Sequence, residues 1–331
     1  MRLLGIGDCD PSPAKACLKQ RDLRQTAIPH LILALSDTSM AADAAELLGY
    51  HVVTEAVRSL VSALKSADQR TRLQAARALM VISSTEKITY EEVQPLIDAA
   101  LGSEHEIRRY AVQSIARFPD IRTLEALCAN VKDPIVGEYA VVGLGNLRDP
   151  RAIGALAKVL TPNSSITSKA VCALREIGGD SALETLLHHA KSAETVSREL
   201  CDCIATFVKE PATEFLIQHG AWRCLWPAHK LLVLSSRHRC QRLAEFVLTS
   251  ISRGERYSML LGAQILTAIL REQGGALEDH LIRNILMLEE PAPGWADPGY
   301  EEEQWRADAE NRAAYYDLIK AANAETDRRG P

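Results

Sequence analysis

The fold is decided by residues 149–178, which read DPRAIGALAKVLTPNSSITSKAVCALREIG. Apolar residues follow helical spacing in both halves of this stretch, at Ile153, Leu156, Val159 and Leu160 and then at Val171, Leu174 and Ile177. Asp149-Pro150 is typical of a turn that starts a helix, and Gly178-Gly179 is typical of a helix stop. The stretch therefore predicts two amphipathic helices joined by a short polar turn.

The same hairpin recurs at near-constant length over residues 27–206. The leucines of the first helices fall at Leu31, Leu60, Leu96, Leu127, Leu156 and Leu186. The matching positions of the second helices are Leu47, Leu79, Ile115, Leu144, Leu174 and Ile204. Successive intervals are 29 to 36 residues in both sets, and the 36-residue interval coincides with an insertion around residues 83–90. One hairpin cannot bury its own apolar face, so we expect about six hairpins to stack and share a continuous core.

These hairpins resemble HEAT repeats, in particular the short bacterial form found in phycocyanobilin-lyase-type repeat proteins. The residues that carry the resemblance are Pro95-Leu96 followed by 106–111, Lys132-Asp133-Pro134 followed by 139–145, and 68–72 followed by Ala75-Ala76-Arg77-Ala78-Leu79. The resemblance implies an all-α fold, a right-handed α-α superhelix or HEAT-like solenoid, with the second helices lining its concave face. It is specific for architecture and says almost nothing about activity.

The two ends depart from the repeat. We expect an N-terminal segment at 1–26, about six repeats at 27–206, divergent helical pairs at 207–288 and an acidic aromatic tail at 289–331. Helices are predicted at 222–236, 240–252, 257–273, 277–288 and 301–324. The tail holds eleven acidic and five basic residues, whereas residues 221–260 hold seven basic and two acidic ones. The tail is therefore interpreted either as a cap on the last repeats or as a free segment for a basic partner.

Composition limits the classes of partner. The chain has 331 residues, 47% of them hydrophobic, and a formal net charge of -5, which gives no bulk reason to expect nucleic acid or an anionic membrane surface. Neither a secretory signal nor an apolar run of roughly 20 residues is apparent. We therefore expect a cytoplasmic, bacterial protein without membrane association. Its eight cysteines are expected to be free thiols in a reducing compartment.

No motif for catalysis, phosphate binding or zinc proteolysis occurs in the sequence. Two sets of side chains contain metal-ligand types: Cys201 and Cys203 with His188 and His189, and His219, Cys224, His229, His238 and Cys240. Neither set contains a C-x-x-C pair, so core thiols and surface imidazoles are the favoured interpretation. The sequence thus predicts no metal, no cofactor and no catalytic residue, and favours a non-enzymatic protein.

The favoured function is a scaffold or adaptor that binds another protein through its concave face. The candidate partner-binding residues are the polar positions of the second helices: Arg72, Arg77, Arg108, Arg109, Gln113, Glu138, Asn146, Lys169 and Arg175. For any single one of them, a solvated position or a bridge between repeats is an equal alternative. A nucleic-acid-binding protein similar to DNA glycosylases is the main alternative, and its basic aromatic patch is Trp222, Arg223, Trp226, Arg237, Arg239 and Arg242. A bilin-lyase-like protein is a further alternative, and the sequence does not define the partner or the oligomeric state.

Overall fold

The computed structural model describes residues 21–85, 93–117, 120–161, 165–193, 195–226, 228–253, 258–289 and 301–330, and within these ranges it contains helices and turns but no strand. The chain forms two compact units, unit 1 (Met1–His189) and unit 2 (Ala190–Pro331). Most of the expected N-terminal segment, most of the insertion after Thr85 and the first part of the acidic tail lie outside the described residues. The chain is all-α over the part described.

Unit 1 is a series of helical hairpins. Its helices are α1 (Arg21–Ala34), α2 (Ala41–Tyr50), α3 (Val57–Ala63), α4 (Gln69–Thr85), α5 (Gln94–Leu101), α6 (His105–Ala116), α7 (Leu124–Asn130), α8 (Gly137–Leu147), α9 (Ile153–Ala157) and α10 (Ser165–Ile177). A further helix, α11 (Gly179–Ser192), begins in unit 1 and ends in unit 2. Even-numbered helices pack on the next even-numbered helix, from α2 to α10, and each also packs on the odd-numbered helix before it. Odd and even helices are thus the first and second helices of successive repeats.

The twelve recurring apolar positions predicted for the first and second helices are buried. Leu47 is 1% exposed, and the other eleven, which run from Leu31 to Leu186 in unit 1 and include Ile204 in unit 2, are all 0% exposed. Full burial of a leucine or isoleucine side chain stabilises a fold by roughly 1.5–3 kcal/mol. The repeat spacing in the sequence is therefore the spacing of the residues that contribute most to the core.

Small residues set the distance between neighbouring second helices. A Cβ atom on Gly49 would lie 2.6 Å from Cα of Ala78, and one on Gly143 would lie 2.8 Å from Cα of Ala116. A Cβ atom on Gly145 would similarly lie 3.0 Å from Cα of Ala173. Carbon atoms normally approach to about 3.5–4.0 Å, so glycine at these positions allows the closer packing of the helices.

Turn chemistry begins and ends these helices. The carboxylate of Asp149 accepts a hydrogen bond of 2.8 Å from the backbone N–H of Arg151, as Asp120 does one repeat earlier at 2.9 Å from Arg122. Helix α10 ends before Gly178 and Gly179, whose φ angles of 71° and 80° lie in the left-handed region that glycine tolerates. The predicted start and stop signals thus act where the sequence places them.

Unit 2 contains the remaining helices. They are α12 (Arg198–Ala205), α13 (Glu210–Gln218), α14 (Trp222–Leu225), α15 (Lys230–Leu234), α16 (Arg237–Ser252), α17 (Ser258–Gln273), α18 (Asp279–Leu286) and α19 (Glu301–Arg329). The single helix predicted at 222–236 is wrong, because the segment forms two short helices. Trp226 has extended backbone angles, φ -101° and ψ 137°, and it precedes Pro227 in the sequence. Proline disfavours the helical conformation in the residue before it, which explains the break.

The last helix packs on its predecessors within unit 2. Helix α19 contacts α17 and α18, and its Leu318 and Ala322 are fully buried. At its carboxyl end, Arg329 donates hydrogen bonds to the carbonyl oxygens of Gly274, at 2.6 Å, and Leu277, at 2.9 Å. The helix runs five residues beyond the predicted 301–324, and this added turn carries the hydrogen bonds to the connection between α17 and α18. Capping of the array by the tail stays a prediction.

Candidate binding surface on the second helices

The second helices of unit 1 expose one side each. The residues on that side, called here the second-helix face, are Leu73, Arg77 and Val81 on α4, Arg109, Gln113 and Arg117 on α6 and its carboxyl end, Tyr139, Val142 and Asn146 on α8, and Ser168, Cys172 and Arg175 on α10. Residues three or four apart share one side of a helix, so each set forms a stripe. Because α4, α6, α8 and α10 pack in order, the four stripes form one surface.

Aromatic and apolar side chains lie at the centre of this face. The guanidinium carbon of Arg109 lies 4.8 Å from the centroid of the Tyr110 ring, and Arg109 Nη2 donates a hydrogen bond of 3.0 Å to the Tyr110 hydroxyl. On the next helix, Tyr139 is 41% exposed and Val142 is 46% exposed. Tyrosine and arginine held in place on rigid helices are the residue types that dominate protein interfaces.

Two of the predicted binding arginines bridge repeats instead of pointing to solvent. Arg72 donates to both carboxylate oxygens of Glu104, at 3.1 and 3.0 Å, across the boundary between α4 and the turn before α6. Arg108 donates at 2.8 Å to Asp133, in the turn before α8. The Arg72 and Arg108 side chains are 24% and 21% exposed, so both are largely occupied in joining neighbouring repeats.

In the next repeat, Gly137 holds the position equivalent to Arg72 and Arg108, so the series of bridging arginines stops there. Glu138, the neighbour of Gly137, pairs with Lys169 on α10 and accepts a hydrogen bond of 2.6 Å from Ser165. The bridge between repeats is therefore present with its charges reversed, since the acid now lies on the earlier helix. Thr167, at the position equivalent to Arg72, donates to the Thr161 carbonyl at 2.5 Å.

The other predicted binding residues lie on the second-helix face. Arg77 is exposed, Gln113 is half-buried, and exposed Asn146 donates a hydrogen bond of 3.1 Å to the carbonyl oxygen of Ala116. Arg175 is exposed and pairs with Glu176 at 3.0 Å. The sequence reasoning selected polar residues and so omitted Tyr110, Tyr139 and Val142. The signal was present, because Tyr110 and Tyr139 are 29 residues apart and therefore hold equivalent positions in successive repeats.

The alternative basic aromatic patch is divided between core and surface. Trp222 is 2% exposed and its indole N–H donates to Ser250 Oγ at 3.2 Å, while Arg239 pairs with both Glu210 and Glu214. The other members are exposed or half-buried: Arg223, Trp226, Arg237 and Arg242. A buried indole cannot stack on a base, and the two glutamates offset the charge of Arg239.

His229 and the buried cysteines Cys201, Cys203 and Cys240 belong to the core, whereas His30, His105, His188, His219 and His238 are exposed. No group of three His, Cys, Asp or Glu side chains in these ranges could hold a metal ion. His229 is fully buried between Thr213 Oγ1, 2.6 Å from Nδ1, and the Ala205 carbonyl, 2.8 Å from Nε2, and burial lowers the pKa of His229. Burial, together with a hydrogen bond to Asp202, raises the pKa of Cys224 to about 12, which makes it a poor nucleophile.

Two family models match the chain. Residues 28–116, which include α2 to α6, match the model for HEAT repeats, and residues 136–161, which include α8 and α9, match the PBS lyase HEAT-like repeat. This chain carries HEAT repeats. Both matched segments lie in unit 1, and they contain α4, α6 and α8, which supply the centre of the second-helix face. No curated protein matches the chain.

Three solved structures match the chain at low identity. The complex of CpcE and CpcF of phycocyanin lyase from Nostoc sp. PCC7120 is 18% identical, with a TM-score of 0.37, and covers 84% of this chain and 93% of that chain. Human deoxyhypusine hydroxylase in complex with glycerol is 15% identical to this chain, with a TM-score of 0.29. The match covers 89% of this chain and 96% of that chain. An engineered protein is 15% identical to this chain, with a TM-score of 0.28. The match covers 90% of this chain and 97% of that chain. Similarity at this level carries no argument about activity, and the handedness of the superhelix stays a prediction.

None of the described helices combines the length and the apolar character that a bilayer-spanning segment requires.

Proposed function

We propose that this chain is a non-enzymatic scaffold or adaptor that binds another protein through the second-helix face of unit 1. The observation that carries the proposal is the pairing of half-buried Arg109 and Tyr110 on α6 with exposed Tyr139 and Val142 on α8, the helix that packs on it. We further propose a bacterial cytoplasmic setting. The six cysteines of the described ranges are all unbridged, which supports a reducing compartment.

The rigidity of the array favours binding at this face. The helices that carry the cluster are joined by buried leucines and by the ion pairs of Arg72 and Arg108. A surface that is already ordered loses little conformational entropy when a partner binds. The contacts of Tyr139 and Val142 with a partner then contribute to affinity with little loss to the ordering of the surface.

The nucleic-acid alternative has weaker support. Duplex binding relies on many phosphate contacts from unpaired cations, whereas Arg239 is paired with two glutamates and Trp222 is buried. A lyase-like activity is supported by no specific arrangement of side chains in the described residues.

The test is affinity purification of the full chain from its native cell, with two matched double variants. Tyr139→Ser/Val142→Ser removes exposed apolar surface at the centre of the face. Leu101→Ser/Ile121→Ser removes a similar amount outside the second helices, since these residues are 52% and 49% exposed. A partner bound at the face should be lost from the first variant and kept by the second.

The expected loss is at least tenfold in affinity, since central interface residues contribute about 2 kcal/mol or more. The four residues are 41–52% exposed, so the two variants should lose a similar, small amount of stability and melt at similar temperatures. Equal capture of the partner by all three proteins would show that the second-helix face is not the binding site.

A further inference from the structure

The arginines of α4 and α6 are not all used inside the fold. Arg70 pairs with Asp43 at 2.8 Å, and Arg109 pairs with Glu106 at 2.8 Å. Arg72 and Arg108 form the bridges between repeats described above. Two more arginines belong to this region: Arg77 on α4 and Arg117 at the carboxyl end of α6. Both are exposed, and neither is paired with a carboxylate in the part of the chain that the structure describes; Arg117 Nη1 donates a hydrogen bond of 3.3 Å to the carbonyl oxygen of Gln113 on its own helix.

The two unpaired arginines lie on the second-helix face. Arg109, Gln113 and Arg117 follow one another at four-residue intervals and form one stripe along α6. Arg77 holds on α4 the repeat position that Gln113 holds on α6, since it precedes Leu79 by two residues as Gln113 precedes Ile115. Because α4 packs on α6, the unpaired cations lie on adjacent stripes of one surface.

The acidic residues of α4, α6, α8 and α10 do not offset the two charges. Glu138 is held by Lys169, and Glu176 is held by Arg148 and Arg175. Helix α4 contains no acidic residue, and the single acid of α6, Glu106, is the partner of Arg109. The α4 and α6 side of the face is therefore positive, while the adjoining α8 side presents Tyr139 and Val142.

We infer that the partner segment bound at this face is an acidic peptide that carries an aromatic or aliphatic anchor; this rests on the proposed function. Its carboxylates would pair with Arg77 and Arg117, and its apolar side chain would pack on Tyr139 and Val142. Complementary charge at the edge of an apolar contact accelerates association and fixes the orientation of the partner.

A peptide fits this surface better than a nucleic-acid backbone. A phosphate-driven site needs several unpaired cations along the path of the strand. The face offers two, beside an exposed apolar group that a phosphate backbone cannot use. The net charge of -5 also opposes association of the chain with a long polyanion. A short acidic segment can still bind at a locally positive site.

The test is selection of a random peptide library, displayed on phage, against the full chain. We expect enriched peptides to combine several Asp or Glu residues with an aromatic or aliphatic residue. A synthetic copy of an enriched peptide should bind at least tenfold more weakly to Arg77→Glu/Arg117→Glu. It should bind unchanged to Lys132→Glu/Lys158→Glu, which makes the same charge change at exposed positions outside the second helices. Its affinity should fall as salt rises.

Each other outcome has a distinct meaning. Enrichment of neutral or basic peptides that no longer bind Tyr139→Ser/Val142→Ser would overturn the inference that the partner segment is acidic. The proposed function would still stand in that case. Acidic peptides that bind Arg77→Glu/Arg117→Glu unchanged would also overturn the inference. Peptides that bind all variants equally, or an absence of enrichment, would overturn both. Salt-sensitive binding of duplex DNA that is lost from Arg77→Glu/Arg117→Glu, without peptide enrichment, would assign the two arginines to phosphate and overturn the peptide. Equal melting temperatures of the variants exclude loss of folding as a cause.

Discussion

Replacing Gly49 by alanine tests the close packing of the second helices. The added Cβ would lie 2.6 Å from both Cα and Cβ of Ala78, so α2 and α4 would have to separate by about 1 Å to restore normal carbon contacts. Overpacking of this kind costs about 1–3 kcal/mol, while alanine in a helix interior gains about 0.5–1 kcal/mol over glycine. The difference of the two ranges is a destabilisation of about 0–2.5 kcal/mol, and the 2.6 Å contact with two carbon atoms places the expectation in the upper half of that range.

The matched control is Gly154→Ala, because Gly154 lies in α9 and a Cβ there would meet nothing within 4 Å. That variant keeps the helix gain without the clash and should be more stable by about 0.5–1 kcal/mol. The melting temperatures of the two variants, measured by circular dichroism, should therefore shift in opposite directions from that of the parent. The shift should be about 2–4 °C per kcal/mol for a unit of this size. A Gly49→Ala protein that melts at or above the parent temperature would refute the contact between α2 and α4.

Three further perturbations test other parts of the fold. Asn130→Ala removes a buried hydrogen bond of 3.0 Å to the Ala100 carbonyl and should cost about 1–3 kcal/mol in urea unfolding; an unchanged midpoint would contradict this bridge between repeats. The lowered pKa of buried His229 means that the unfolded chain binds its proton more readily. Unit 2 should therefore lose stability as the pH falls below 6.5, and His229→Gln should remove that slope between pH 7.5 and 5.5. Deleting residues 289–331 exposes the surfaces of α17 and α18 that α19 covers, and should lower the melting temperature or cause aggregation; an unchanged melting temperature with a soluble monomer would reject the cap.

The fold was readable from sequence because one spacing controls the whole core. Leu79, Ile115 and Leu144 each lie at the same place in a hairpin, and burial of that place in every unit makes the repeat visible as intervals near 30 residues. The region from Trp222 to Ser236 lacks such an interval. There the decisive signal was local, the proline at 227, and helical spacing of the apolar residues masked it.

The candidate face could be predicted only in part. The sequence shows on which side of a helix a residue lies, but it does not show which acidic residue pairs with a given arginine. Arg72, Arg77 and Arg108 look alike as polar positions of second helices. Their roles separate only when Glu104 and Asp133 are seen beside the first and third. An arginine four residues from an acid in sequence can be paired by inspection, whereas Arg72 and Glu104 are 32 residues apart.

Positions that stay constant between repeats and positions that vary have different physical tasks. Where Arg72 and Arg108 recur, the side chain binds the carbonyl of the preceding turn and the acid of the next repeat, so recurrence reflects stacking. Position 77 of α4 becomes glutamine at 113 and valine at 142, although all three lie on the same exposed side. Stacking therefore places no demand on that position, and its changing chemistry across α4, α6 and α8 is available to distinguish one partner from another. A search for the binding site of such an array should begin with the exposed positions at which successive repeats disagree.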